Sequence, residues 1–308
     1  MTAATAQPPS TSTMSGKSVF SAPGWVKSFY SKFPLVVLEQ EDEVDWKLRA
    51  RQGEDHAVEL WIHPPSPSSS SSHHPHSHYR SWTSSSPSSL RTQLLFLLRE
   101  TSTDVPVSFR SWPNENSAPG GTLPTLHILH QDRLLATDEI RGWLESTYPL
   151  KGKGKGLQGL PSQETYDRAV SLSHLVLGNL LPAYLASLPT RPSNFHLMFP
   201  IPPRLSAGLT TPLPASLTGD SRDIDTDEVT RKGVDALDAL AIILENTNTG
   251  WLFDARHPTS IDALVTSHLH VIYSLPPSTV LRSTIDSRPT LGEYVDRVLD
   301  YAEQRIKK

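Results

Sequence analysis

The sequence predicts an α/β domain followed by an all-α domain, and three observations carry this prediction. Up to about residue 150, short apolar or alternating segments typical of β-strands are interspersed with two helical patterns. Residues 151–156 repeat Lys-Gly three times, which indicates a flexible basic linker and the clearest domain boundary. Beyond this linker, apolar residues recur at helical spacing only. We therefore place the α/β domain at residues 54–150, the linker at 151–161 and a helical bundle at 162–308.

The α/β domain has its elements in the order strand, helix, strand, hairpin and helix, a βαββα pattern. Residues 58–63 form a short apolar run typical of a buried strand, and residues 105–112 alternate as a second strand. Between them, leucines at helical spacing predict a helix over residues 90–99. Residues 122–145 then predict a strand led by Pro124, a tight turn, a second strand and a helix. The loop at residues 114–121 is too short for a further helix.

Three segments of the first half fall outside this pattern. Residues 1–22 are polar and predict a disordered tail, and residues 64–89, rich in Ser, Pro and His, predict a disordered insertion. Residues 23–50 form an N-terminal aromatic arm whose aromatic residues have helix-like spacing: Trp25, Phe29, Tyr30 and Phe33. Two interpretations of the arm stay open. It is a short helix packed on its own domain, or it is a docking element for a partner protein.

The bundle contains four predicted helices. Their apolar positions extend over residues 166–188, 234–244, 261–272 and 291–302. Pro182 interrupts the first of them, and a kink is expected there. Residues 195–218 are rich in proline and predict a loop between the first two helices.

Composition and charge exclude several classes of function. The net charge of −4 gives no general affinity for nucleic acid or for anionic lipid. The chain contains no cysteine, which excludes disulfides, a Cys-x-x-Cys redox site, a thiolate nucleophile and cysteine-bound zinc. No uninterrupted apolar run has the length of a transmembrane helix, so none is expected, and the N-terminus has no signal-peptide pattern.

The segment Pro258-Thr-Ser-Ile-Asp262 predicts the start of a buried helix. Thr259 at the N-cap and Asp262 three residues later form a capping box, in which each side chain satisfies a backbone amide of the first turn. A catalytic carboxylate at Asp262 is the alternative. The cap explains both residues without a further assumption, so we assign them a structural role.

Histidines are concentrated in and beside the predicted insertion. His63, His73, His74, His76 and His78 offer ligands for a transition metal. Most of them lie in a segment expected to be a solvated coil, which would hold a metal loosely. We therefore predict no metal site, and no cofactor-binding or catalytic residue is assigned.

The combination of a thioredoxin-like half, a linker and a helical half with the Thr-x-x-Asp cap resembles the glutathione-transferase superfamily. The resemblance implies that Pro124 is a cis proline that aims a backbone amide at an extended ligand. It also shows what is absent. Such enzymes place a reactive Tyr, Ser or Cys at the turn after the first strand, and here residues 64–89 replace that turn. The usual acid-Ser pair before the last helix of this half is Ala136-Thr137 in this chain.

Within this superfamily the chain most resembles the metaxins. Residues 250–269, which begin Gly-Trp-Leu-Phe-Asp, are similar to the metaxin helical motif, and residues 288–297 are similar to its final helix. Residues 20–37 are similar to the N-terminus of fungal metaxin-like subunits of the mitochondrial sorting and assembly machinery (the SAM or TOB complex) that are compared with the second metaxin.

The metaxin resemblance implies a non-enzymatic peripheral subunit on the cytosolic face of the mitochondrial outer membrane. It would sit with a barrel-forming channel subunit and a second metaxin-like subunit, receive β-barrel precursors through their sorting signals, and help insert them. The partner-binding residues would be those of the aromatic arm. A glutathione-transferase-like enzyme and a soluble cytosolic scaffold of the same fold are the alternatives.

Overall fold

The computed structural model describes residues 58–65, 80–101, 106–131, 133–150, 157–192, 195 and 224–307. The chain divides into two compact units, Met1–Trp46 and Lys47–Lys308, and every described residue belongs to the second unit. The tail, residues 151–156 of the linker and the partner-binding residues predicted in the arm lie outside the described residues: Trp25, Phe29, Tyr30 and Phe33.

A four-stranded mixed sheet forms the first half of the described unit. Its strands are β1 (Val58–Ile62), β2 (Val107–Ser111), β3 (Thr125–Ile128) and β4 (Arg133–Leu135), in the order β2-β1-β3-β4. β2 runs parallel to β1, and the other neighbours are antiparallel. A parallel pair needs a long crossover, which helix α1 (Pro87–Leu97) supplies. Helix α2 (Thr137–Thr147) follows β4, so the predicted order of elements is the observed one.

Alternation along β1 separates the two faces of the sheet. Val58, Leu60 and Ile62 share one face and are almost fully buried in a cluster with residues of β3, β4, α1 and α2. Glu59 and Trp61 lie on the opposite face. The hydrophobic core of this half therefore lies between the sheet and its two helices.

The predicted disordered insertion at residues 64–89 is wrong for residues 80–89. Ser84 and Ser89 are fully buried, and helix α1 begins at Pro87, three residues earlier than the leucine pattern indicated. Side-chain hydrogen bonds order this segment: the Ser84 hydroxyl donates to the carbonyl of His63 (2.9 Å), and Gln93 accepts from the Ser84 amide (3.0 Å). A serine-rich composition predicts disorder only when such partners are absent.

The chain between β2 and β3 contains two short 3₁₀ turns, Glu115–Ser117 and Pro119–Gly121. The expectation that this loop is too short for a helix is confirmed. Gly120 and Gly121 both adopt positive φ angles (72° and 66°), a conformation that glycine adopts without steric cost.

The second half of the unit is a helical bundle. Its helices are α3 (Gln163–Leu175), α4 (Leu181–Ala186), α5 (Thr226–Glu245), α6 (Ser260–Ile272), α7 (Val280–Asp286) and α8 (Pro289–Ile306). A π-helical turn, Val176–Leu180, joins α3 to α4 immediately before Pro182, which has no backbone N–H to continue the α-helical ladder. Helix α7 was not predicted, because it is only seven residues long.

One helical segment within the described residues, Gln163–Ala186, has the length and apolar composition that a membrane-crossing helix needs. In the structure 39% of its most apolar stretch is buried, and its inner residues Leu172, Val176 and Leu180 belong to the bundle core. Core helices of folded domains have the same composition, so this feature alone does not distinguish the two roles.

The Asp262 carboxylate joins three elements of the bundle. One oxygen accepts the backbone amide of Thr259 (2.7 Å), which is the Asp262 half of the predicted capping box, and it also accepts the Thr259 hydroxyl (2.9 Å), which donates to Asp262 and makes no side-chain cap of its own. The other accepts the Leu252 amide (3.0 Å) and the Tyr294 hydroxyl (2.8 Å). Asp262 and Tyr294 are almost fully buried. Burial raises the pKa of Asp262, and the hydrogen bonds from Thr259, Leu252 and Tyr294 oppose that rise.

Replacement of Asp262 by Asn is expected to lower the free energy of unfolding by about 3 kcal/mol, because an amide group would face backbone and hydroxyl donors inside the core. Tyr294→Phe removes one donor and should cost about 1 kcal/mol. Urea denaturation measures both. Asp235→Asn, at an exposed site paired with Arg231, is the matched control and should change stability little. Equal effects of the two Asp→Asn changes would contradict the assignment.

The buried His268 side chain should make the folded protein less stable at acid pH. The residue is buried in α6, and its Nδ1 lies 2.8 Å from the Leu264 carbonyl. Burial, reinforced by nearby Arg91, lowers the pKa of His268 from 6.5 to about 4. The unfolded chain therefore binds a proton that the folded chain does not as the pH falls from about 6.5 to 4. Stability falls over this window, by about 3 kcal/mol in total.

The measurement compares urea unfolding of wild type and His268→Gln at pH 7 and pH 4. The wild type should lose about 3 kcal/mol more than the variant, because Gln does not titrate. His257→Gln, at a side chain that is 51% exposed, is the control and should leave the wild-type pH dependence in place. Parallel pH profiles for wild type and His268→Gln would refute this origin of the acid sensitivity.

Candidate functional site

The N-terminus of α1 lies beside the cis peptide bond between Leu123 and Pro124. The Ser88 hydroxyl donates to the Leu123 carbonyl (3.3 Å), and the hydroxyl oxygens of Ser86 and Ser88 are 3.0 Å apart. Ser86 is the N-cap residue, but its side chain does not cap the helix. Serine hydroxyls, free first-turn amides and the positive end of the helix dipole therefore meet at one place, which suits an anionic or polar ligand.

A Ser-His-Glu arrangement lies directly below these hydroxyls. The Ser89 hydroxyl is 2.9 Å from His63 Nδ1, and His63 Nε2 is 2.5 Å from the Glu115 carboxylate. These residue types resemble a nucleophile with its base and orienting acid. Ser89, however, is fully buried, and its oxygen also lies within reach of the His63 amide (3.4 Å). The arrangement therefore ties β1, α1 and the 3₁₀ turn together and does not present an accessible nucleophile.

The opposite face of the sheet carries an aromatic and ionic cluster. Trp61 stacks on Trp112 with ring centroids 4.5 Å apart, and its indole N–H donates to Glu59 (2.9 Å). Arg110 and His127 approach the same carboxylate at 3.7 and 3.9 Å. The sequence interpretation missed this cluster. Its signal was the position of Glu59 and Trp61, one residue out of phase with the apolar residues of β1.

Comparison with known proteins agrees with this architecture. The family model described as the glutathione S-transferase C-terminal domain matches residues 233–298, from within α5 into α8. The helical half that matches this model follows a thioredoxin-like sheet, which has the strand order β2-β1-β3-β4 and a cis proline. The fold is glutathione-transferase-like. No match was found among the curated proteins searched.

Solved structures similar to the chain include glutathione S-transferase III in its apo form, at 16% identity, covering 82% of this chain and 96% of the other, with a TM-score of 0.43. Glutathione transferase F7 from Populus trichocarpa has 14% identity, coverage of 81% and 98%, and a TM-score of 0.42. A glutathione transferase family member from Pseudomonas fluorescens, with two glutathione molecules bound, has 9% identity, coverage of 85% and 99%, and a TM-score of 0.45. Likeness at this level is not evidence of activity.

Thr137 stands at the serine position of the superfamily's acid-Ser pair, and its hydroxyl is bonded within the protein. The Thr137 hydroxyl donates its proton to the Pro124 carbonyl at 2.7 Å. The Ala136 amide, just before α2, donates to Glu139 of the same helix (3.1 Å). Both groups are therefore used to fix the start of α2 against the cis-proline loop. The cis-proline loop and the N-terminus of α2 are both present, and these two donors bond within the protein.

The structure separates the residues singled out from the sequence. Pro124 lies at the α1 and α2 N-termini, whereas Thr259 and Asp262 bond to each other in the bundle. His63 is part of the Ser-His-Glu arrangement, and the other four histidines of the predicted insertion lie outside the described residues. Among the residues that the structure describes, no group of three or more potential ligands could hold a metal ion.

Replacement of Ser89 by Ala should lower the free energy of unfolding by about 1 kcal/mol, because His63 loses a buried hydrogen-bond partner. Ser85→Ala, which removes a more exposed hydroxyl bonded to the Pro64 carbonyl, is the matched control and should cost less. Urea denaturation measures both. Ser89 should also stay unmodified by a fluorophosphonate probe in the native protein, since its side chain is fully buried. Labelling at Ser89 would overturn the structural assignment.

Proposed function

We propose that the protein is a non-enzymatic, peripheral subunit of the complex that sorts and assembles β-barrel proteins in the mitochondrial outer membrane. It would act on the cytosolic face and help to receive β-barrel precursors by their sorting signals. Its partners would be a barrel-forming channel subunit and a second metaxin-like subunit.

The observation that supports a binding role most directly is the internal use of the ligand-site donors. The Thr137 hydroxyl donates to Pro124, and the Ser89 hydroxyl is buried against His63. Activation of a glutathione thiol needs an accessible donor held at the thiol. A chain that commits these groups to its own packing retains a stable body with grooves, which is sufficient for a binding module.

The metaxin resemblance supports the identity of the complex. Two of the segments that resemble metaxins lie among the described residues: residues 250–269 contain Thr259 and Asp262, and residues 288–297 contain Tyr294. These three residues form the hydrogen-bonded centre of the bundle. The two segments therefore have a structural role in the helical half before any role in partner binding. The assignment to an outer-membrane complex rests on this resemblance, and the purification described below tests it directly.

One observation favours a glutathione-transferase-like enzyme as a second candidate. Ser86 and Ser88 are ordered at the N-terminus of α1 beside Pro124, where a reactive hydroxyl of this fold would stand. The sequence argument against an enzyme assumed a disordered turn at this place, and the ordered serines remove that argument. The Thr137 hydroxyl, which already donates its proton to the Pro124 carbonyl, still favours the binding role.

Affinity purification from detergent-solubilised mitochondria, combined with glutathione titration calorimetry on the purified chain, separates the candidates. Recovery of an outer-membrane barrel protein and no heat with glutathione is expected. Glutathione heat that Ser88→Ala abolishes would instead establish the enzyme-like site. Recovery of the chain in the soluble fraction, without a barrel protein, would indicate a cytosolic scaffold.

The aromatic arm provides a variant for the same purification. Phe29→Ala combined with Phe33→Ala should release the barrel partner while the urea unfolding curve is unchanged, if the arm docks on that partner. Replacement of Val36 and Val37 by Ala in the same segment is the control. Global unfolding of the Phe variant would favour the alternative that the arm packs on its own domain.

A further inference from the structure

The backbone of β2 has one side committed to the sheet. The Val58 amide donates to the Pro106 carbonyl (3.1 Å), and the Trp112 amide donates to the Ile62 carbonyl (2.8 Å). In a parallel ladder, alternate residues of a strand bond to the same neighbour. The even-numbered residues of β2, Ser108 included, therefore face β1.

The odd-numbered residues of β2 present their backbone groups to the outside. Val107, Phe109 and Ser111 each direct an N–H and a C=O away from β1. β2 is the first strand in the sheet order, and within the described part of the chain no strand pairs with this edge. An open edge with aligned donors and acceptors is a template for an added strand.

A groove of about 570 Å³ runs beside this edge on the helix side of the sheet. Its apolar wall includes Trp82 and Phe96, together with Phe109 of β2 and Ile306 at the end of α8. Ile306 is 41% exposed, so part of this apolar surface faces solvent. Side chains of an added strand alternate between the two faces of the sheet. Every second side chain of such a strand would therefore enter the groove.

The charged groups that line the groove are both cationic. They are Arg99 at the end of α1 and Arg305 in the last turn of α8, and no carboxylate is among the described lining residues. Burial is the main influence on Arg99 and lowers the pKa of its guanidinium, yet the group stays protonated at neutral pH. A peptide that combines apolar side chains with a carboxylate matches this lining.

The other edge of the sheet, formed by β4, is less suited than β2 to strand addition. β4 has only three residues, and Arg133 on it pairs with Glu139 at 3.8 Å. Short and charged edges are the usual devices that prevent strand addition. On β2, Pro106 and Pro113 limit pairing at each end, and the five residues of the strand lie between them.

We propose that an extended peptide adds to the outer edge of β2 as a fifth strand, and that this peptide is the C-terminal strand of a β-barrel precursor. The identity of the peptide rests on the proposed function. Transmembrane β-strands alternate apolar and polar side chains, so one set fits the groove and the other faces solvent. The terminal carboxylate of such a strand meets the arginine-lined part of the groove.

Ser111→Pro tests the edge itself. It removes one outward N–H and places a ring on the edge, while the ladder to β1 uses the amides of Ser108, Arg110 and Trp112 and stays intact. Ser111→Ala keeps the N–H and is the matched control, since the Ser111 side chain is exposed. The probe is a fluorescein-labelled ten-residue peptide of alternating apolar and polar residues with a free C-terminus, measured by fluorescence anisotropy on the full chain.

Binding to Ser111→Pro is expected to be about tenfold weaker than to wild type, and binding to Ser111→Ala within about twofold. A peptide of the same composition with its apolar residues in pairs should bind about tenfold more weakly, and amidation of the C-terminus should weaken binding and reduce its salt dependence. Equal binding of the alternating and paired peptides, or equal binding to the Pro and Ala variants, would overturn the strand-addition site.

A second measurement on the wild-type chain avoids the effect of proline on folding. Two peptides carry backbone N-methyl groups, one at odd and one at even positions. Only the set whose N–H groups face β2 should lose binding, by about tenfold or more. Equal loss for both sets would overturn the site.

Failure of this inference is separable from failure of the proposed function. A chain that recovers the barrel partner but does not bind the alternating peptide overturns the β2 site and leaves the subunit role in place. A chain that binds the peptide in a Ser111-dependent way but recovers no barrel partner supports the edge as a strand-addition site and removes the precursor as its occupant.

Discussion

The bundle depends on the buried Asp262 carboxylate and the donors around it. One side chain fixes the start of α6 through Thr259, the preceding loop through Leu252, and helix α8 through Tyr294. An ion in a core is costly unless each of its lone pairs is satisfied, and here both oxygens accept two hydrogen bonds. Helix α1 of the sheet half packs against α6. The position of the candidate ligand site at the α1 N-terminus therefore depends indirectly on this one carboxylate.

Serine side chains organise the α/β half in place of a reactive thiol or hydroxyl. Ser84 and Ser89 bond to His63, and Ser88 bonds to the loop that holds Pro124. Together with Thr137 they join β1, α1, α2 and the cis-proline loop. Each such hydrogen bond stabilises the fold by about 1 kcal/mol net, and a buried partner left unsatisfied costs about 1–3 kcal/mol. The Ser84 and Thr137 hydroxyls donate their protons to backbone carbonyls, an arrangement on which the proposed binding role rests.

The proposed peptide-binding surface is the groove beside β2, and the cis proline is not among the residues that line it. Among the residues that the structure describes, the groove beside β2 has an aromatic wall, arginines as its charged groups and a strand edge that no other strand covers. A thioredoxin-like sheet buries the inner edges of its central strands, so its outer strands are where extended peptides can add. The proposed role and the geometry thus meet at β2, a strand that the sequence identified only by its alternation.

The sequence by itself determined the order of elements, the two-part organisation and the Thr259-Asp262 cap, because periodicity and capping are local properties of the chain. It misjudged residues 80–89, since the partners that order the serines, His63 and Gln93, were not recognisable as partners from local composition. Only the tertiary structure decided that the Thr137 and Ser89 hydroxyls are hydrogen-bonded within the protein, that Tyr294 completes the Asp262 centre, and that no strand in the described ranges pairs with the outer edge of β2. Each of these three features depends on groups that are far apart in the sequence. Tertiary packing sets the distances between such groups, and a local sequence pattern does not reveal them.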